Sequence, residues 1–191
     1  NVSNPSSPTL AGNYNTTNVA FGVAVAGSYA YVADYEAGLQ VINVSNPASP
    51  KLAGSYDTPF YAFDVAVSGS YAYVADEASG LQIVNVSNPA SPTLAGTYDT
   101  PGYAYGVTVS GSYAYVVDQG SGLQIINVAN PASPTLAGNY DTSGVAYGVA
   151  ASGNYAYVAD GASGLQIINV SNPANPALAG IYDTNGNAFR V

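Results

Sequence analysis

YAYVADEASGLQIVNVSNPASPTLAGTYDTPG, residues 71 to 102, is a series of short strands separated by turns, and its reading decides the fold. Tyr71 to Ala75 alternates large and small, which sets Tyr71, Tyr73 and Ala75 on one face of a strand and Ala72 and Val74 on the other. Asp76-Glu77-Ala78-Ser79-Gly80 has the polar, glycine-ended composition of a turn. Leu81 to Val86 is almost continuously apolar, as expected of a strand covered on both faces. Asn88-Pro89-Ala90-Ser91-Pro92 ends it, because proline cannot donate to a ladder and restricts the residue before it. Thr93 to Tyr98 makes another strand, and Asp99-Thr100-Pro101-Gly102 leads onward. Just upstream, Ala62 to Val67 and the turn Ser68-Gly69-Ser70 supply the first strand of the set, making four short antiparallel strands.

This quartet recurs every 42 residues without insertion or deletion. Pro47, Pro89, Pro131 and Pro173 keep that interval, and residues 62 to 103 match 104 to 145 at 31 of 42 positions. A fixed period means modules that hide their apolar faces by stacking on neighbours. Four strands in about 42 residues is the unit of a β-propeller blade, with large Tyr set against small Ala between blades. The expected fold is all-β, made of propeller blades of four antiparallel strands, with a β-solenoid-like repeat array as the alternative. The divisions are a partial repeat at 1–19, full repeats at 20–61, 62–103, 104–145 and 146–187, and the start of a further one at 188–191. Residues 1 to 18 read as the end of a third strand and all of a fourth. These terminal pieces do not sum to one blade, so the chain reads either as a cut from a longer array or as a subunit whose sheet edges other copies cover.

Composition narrows the function classes. Charged residues are 7% of the chain, hydrophobic ones 48%, and no apolar run approaches the roughly 20 residues of a membrane-spanning helix. Eleven carboxylates against Lys51 and Arg190 leave nothing to neutralise a phosphate backbone, so nucleic acid is excluded as a partner. Without Cys or His there is no disulfide, thiolate or imidazole chemistry. Asn1 is not an initiator Met and no signal-peptide pattern follows it, which suggests a processed chain or a piece of a longer one. Low charge with abundant Tyr, Asn, Ser, Thr and Gly points to extracellular or cell-surface material.

The stretch at 71 to 102, with its YVAD strand end, GLQI strand, NPASP loop and YDTPG exit, resembles the LVIVD-repeat family of bacterial and archaeal surface proteins. That resemblance covers nearly the whole chain and implies a β-propeller with extracellular scaffolding or binding roles, and no catalytic residues. The family usually has Asp where this chain has Asn43, Asn85, Asn127 and Asn169.

Candidate sites follow from the repeats and from their breaks. Asp34, Asp76, Asp118 and Asp160 open turns; they read as turn formers bonding their own backbone, with calcium as the alternative role. No base stands ready to activate a Ser or Thr, and a glycosidase would have to draw on Glu36, Asp64 or Glu77, so the chain reads as a non-enzyme without a cofactor. The repeats disagree most at Phe60-Tyr61-Ala62-Phe63-Asp64 and at Tyr35-Glu36. Aromatic rings beside an acid suit a sugar, which makes Phe60, Tyr61, Phe63, Asp64, Tyr35 and Glu36 the candidate ligand residues of a lectin-like module. Asn15, Asn43, Asn85 and Asn169 sit in N-glycosylation sequons, as does Asn1. The expected role is a structural or adhesive surface protein that self-associates, or joins other surface proteins, into a filament or layer, with carbohydrate binding as the alternative.

Overall fold

In the computed structural model, which describes residues 1–191, sixteen strands form four sheets and there is no helix. The first sheet is β1 (Gly22–Ala26), β2 (Tyr29–Ala33), β3 (Leu39–Asn43) and β4 (Lys51–Tyr56), paired in that order and antiparallel. The second is β5 (Asp64–Ser68), β6 (Tyr71–Ala75), β7 (Leu81–Asn85) and β8 (Thr93–Tyr98). β9 (Tyr103–Ser110), β10 (Tyr113–Gln119), β11 (Gly122–Asn127) and β12 (Thr135–Tyr140) make the third. β13 (Gly148–Ser152), β14 (Tyr155–Ala159), β15 (Leu165–Asn169) and β16 (Ala177–Tyr182) make the fourth.

Sheets stack face to face through the two faces read from the alternation. Tyr73, Ala75, Leu81 and Ile83 of the second sheet share one core with Ala104, Val107, Ala114, Val116, Ile126 and Val128 of the third. The first and second sheets meet in the same way, as do the third and fourth. Burying a Leu or Ile fully contributes about 1.5–3 kcal/mol, so each interface is held chiefly by its large aliphatic side chains.

The stack fans outward from an axis. Inner strands β1, β5, β9 and β13 lie side by side, whereas the outer strands β4, β8, β12 and β16 have no comparable contact with one another. Such radial splay belongs to a propeller, and the β-solenoid alternative, in which every strand stacks on its counterpart, is not what forms. Each outer strand bulges against its neighbour, as where Val41 faces Gly54 and Ile42 faces Leu52, with Ala53 left over. The bulge twists the strand and lays Gly54 against the backbone of Pro89 and Ala90 in the next unit.

Some boundaries differ from expectation. The first strand of the second unit starts at Asp64, not Ala62, because Ala62 exchanges backbone bonds of 3.1 and 3.2 Å with Tyr35 of the preceding unit. The third strand stops at Asn85, since the Val86 N–H turns to the Ser70 carbonyl at 2.8 Å. Residues 1 to 18 form no strand, as no third strand stands beside them to pair with. They still dock as an outer strand does, with Gly12 against the backbone of Pro47 and Ala48. At the other end Ala188 bridges to Gly161, seating residues 187 to 191 beside β13 where a following inner strand would run.

Candidate functional site

An aromatic residue stands just before each inner strand, or in the third unit near its start, and the fan brings these to one axis. Phe21, Phe63, Tyr105, Tyr147 and Phe189 stand 42 residues apart. Their successive ring centroids are 5.0, 4.4, 5.8 and 5.0 Å apart. These rings, with Arg190, line a cavity of about 210 Å³. Tyr35 borders the column, 5.6 Å from Phe21 and 5.8 Å from Phe63, and stacks on Tyr61 at 4.2 Å. Tyr35 has φ 53° and Glu77 has φ 41°, where the corresponding position of the fourth unit is Gly161 at 52°. Left-handed backbone costs a side-chain-bearing residue of order 1–2 kcal/mol, and the paired bridges to Ala62 and Ala104 hold it in place.

The next residue along each inner strand is Gly22, Gly106 or Gly148 in three units, but Asp64 in the second and Arg190 at the fifth position. Glycine suits the spot because adjacent inner strands touch there: a Cβ on Gly148 would come within 2.9 Å of the Phe189 carbonyl. Asp64 fits by accepting the Val65 N–H at 2.9 Å on Oδ1 and the Val107 N–H at 3.1 Å on Oδ2. Burial pushes its carboxyl up, and those two N–H groups with the Arg190 guanidinium pull partly back. Arg190 Nη2 donates to the Phe21 carbonyl and so reaches from the fifth inner segment to the first unit. Asp64 and Arg190 share a smaller cavity of about 70 Å³ with Tyr105 and Tyr147.

The six candidate ligand residues divide between two places. Tyr35, Phe63 and Asp64 belong to the axis, and Tyr61 reaches it through its stack on Tyr35. Phe60, 49% exposed, lies instead with Glu36, Asp57, Thr58 and Pro59 around a wide open groove that Tyr61 also borders. Of the three acids a glycosidase would use, Asp64 is therefore at the axis, Glu36 in the groove and Glu77 at the bridge to Ala104. Phe21, Tyr105, Tyr147, Phe189 and Arg190 were not legible as site residues from any single repeat; the signal is the register, an aromatic at every 42nd position followed by glycine except at 64 and 190.

The recurring aspartates do something other than the turn bonding expected of them. Asp34, Asp76, Asp118 and Asp160 are fully buried, and each accepts an N–H from the segment entering its own unit: Asn18, Phe60, Gly102 and Gly144, at 2.8 to 3.1 Å. Thr142 adds a hydroxyl bond of 2.7 Å to Asp160. Burial raises the Asp76 and Asp118 carboxyls, while the Thr58 and Thr100 hydroxyls and the accepted N–H groups oppose the rise. Each carboxylate thus pins a connection, and the four sit in separate units; no three acidic side chains gather as a metal site would need. The sequon residues Asn43, Asn85 and Asn169 are half-buried and hold the N–H of Ser45, Ser87 and Ser171 at 2.9 to 3.0 Å, whereas Asn15 is exposed.

The LVIVD repeat pattern matches residues 1–16, 19–58, 61–100, 101–142 and 143–184. The chain belongs to the LVIVD-repeat family. No curated protein sequence matches it. Among solved structures, this LVIVD-repeat chain is similar to the computationally designed Ika4 protein, with a TM-score of 0.70 at 5% identity over 85% of this chain and 98% of that one. It also resembles the Myceliophteria thermophila Cps50 (Swd1) β-propeller domain, with a TM-score of 0.69, 10% identity, and coverage of 87% of this chain and 59% of that one. A functionally unknown protein from Desulfotomaculum acetoxidans DSM 771 gives 0.71 at 14% identity, covering 90% of this chain and 58% of its own. The LVIVD-repeat chain thus spans all but a little of the designed protein and somewhat over half of the two natural ones. At these identities the likeness is one of fold.

Proposed function

We propose that this LVIVD-repeat propeller is a non-catalytic structural and adhesive component of an extracellular or cell-surface assembly, joined to further copies through its two end faces. The observation that carries the reading is unequal burial of equivalent residues. Val65 and Val107 are 5% and 4% exposed between sheets, while their counterpart Val23 on the first sheet is 64% exposed, and Val25 beside it 68%. On the opposite face of the fourth sheet Tyr182 is 67% exposed. These two faces are the two partners of the interface that recurs three times inside the molecule. A fourth-sheet face of one copy therefore has the chemistry to cover a first-sheet face of another, and such a head-to-tail contact repeats into a closed ring or a filament.

Light scattering on residues 1–191 over a range of concentrations tests this. Reversible growth in mass that Val25→Asp abolishes supports it, and a monomer at every concentration overturns it. Surface placement is tested separately, by whether protease added to intact source cells removes the protein.

A further inference from the structure

We propose that the axial cavity is a binding site for one neutral pyranose sugar, held by the aromatic column and oriented by Asp64 and Arg190. Both charges occupy the repeat position that is glycine in the other three units, at 22, 106 and 148, so the fold itself requires neither. Both also face the same small cavity, which opens beside the aromatic one and shares Tyr105, Tyr147 and Arg190 with it. Two independent departures from the repeat that meet at one point are the mark of a ligand site, because a scaffold role would recur with the period.

The chemistry of the walls selects the ligand. Each Asp64 oxygen already accepts one backbone N–H and keeps capacity for another bond. The Arg190 guanidinium uses one donor on the Phe21 carbonyl and has others free. Neighbouring sugar hydroxyls donate to a carboxylate and accept from a guanidinium, so one vicinal pair satisfies both. An anionic ligand would face Asp64 in a chain of net charge −9, and a cation attracted to the rings would face Arg190. A neutral polyol meets neither penalty. The apolar C–H face of the pyranose lies against the aromatic rings, and a volume of about 210 Å³ sits just below the ~300 Å³ at the lower end of ligand sites, which limits the occupant to a single sugar unit. Sugar binding is read by ligand signals and assembly by mass, so this proposal and the proposed assembly fail independently.

Saturation-transfer NMR and calorimetry with the methyl glycosides of glucose, galactose, mannose and fucose test the proposal, with N-acetylneuraminic acid and glucosamine as charged counterparts. Binding of at least one neutral glycoside, weakened about tenfold or more in both Asp64→Gly and Arg190→Gln and unchanged in Phe60→Ala, is the expected result. Asp64→Gly restores the residue the other units carry; if that variant fails to fold, exposed Arg190→Gln decides alone. Binding that survives Arg190→Gln, binding of only the charged sugars, or no binding by any neutral glycoside overturns it.

Discussion

Gly54→Ala isolates the contact between one unit's outer strand and the next unit's proline loop. A Cβ at position 54 would come 2.5 Å from the Pro89 carbonyl oxygen and 2.9 Å from the Ala90 carbonyl carbon. Ordinary contact begins near 3.4 Å, so backbone has to retreat by roughly 1 Å. Overpacking of this kind costs about 1–3 kcal/mol. Gly180 occupies the same LAG sequence in the fourth sheet, but no proline loop packs on it in residues 1–191, and its nearest neighbour is Ile167 Cδ1 at 4.0 Å. Gly180→Ala therefore meets no clash and gains about 0.5–1 kcal/mol from the stiffer chain. At about 2–4 °C per kcal/mol for a chain of this size, thermal unfolding should show Gly54→Ala melting about 2–12 °C below the parent and Gly180→Ala at or slightly above it. Equal shifts in the two variants would refute the reasoning, because the two glycines share the LAG setting and differ in whether another unit packs on them.

Leu123→Ala should cost about 2–5 kcal/mol by denaturant titration and Leu165→Ala distinctly less, because Leu123 is wholly buried between sheets while its counterpart Leu165 is half-buried. Asp118→Ala leaves the Gly102 N–H without its 2.8 Å partner and should lower stability by about 1–3 kcal/mol in the same assay. The carboxyls of Asp64, Asp76 and Asp118 all rise on folding, so the folded state holds their protons more tightly. Their stabilisation is complete below the unfolded value of 3.8 and is lost as pH rises through the higher folded values. Melting temperature should therefore fall from about pH 4 towards 7, and a rise over that window would contradict the assignment. If the chain is exported where glycans are attached, peptide mass spectrometry should find Asn15 occupied ahead of half-buried Asn43, Asn85 and Asn169.

Strand alternation and period were enough to read the blades. YAYVA, LQIVN and TLAGTY form strands almost where their composition places them, because each local preference agrees with the face it must bury. What a single repeat could not convey was radial order. Nothing in FDVAV says that Phe63 turns to an axis, since that depends on how successive sheets fan. The aspartates escape a local reading for a related reason: an Asp opening a turn has a local partner in view, and the N–H it takes, sixteen residues earlier, becomes its neighbour only once the unit closes. Phe60 joins Asp64 by nearness in sequence and Glu36 by a second break in the repeat, yet Phe60 belongs to the linker before the strand, and both face the open groove.

Proton NOEs between rings test the fan most directly. The account predicts strong cross-peaks between Phe63 and Tyr105, whose centroids are 4.4 Å apart across 42 residues, and none between the methyl groups of Leu94 and Leu136 on outer strands that diverge. Cross-peaks at both places would mean parallel stacking without an axis, and none between Phe63 and Tyr105 would mean that the aromatic column does not exist.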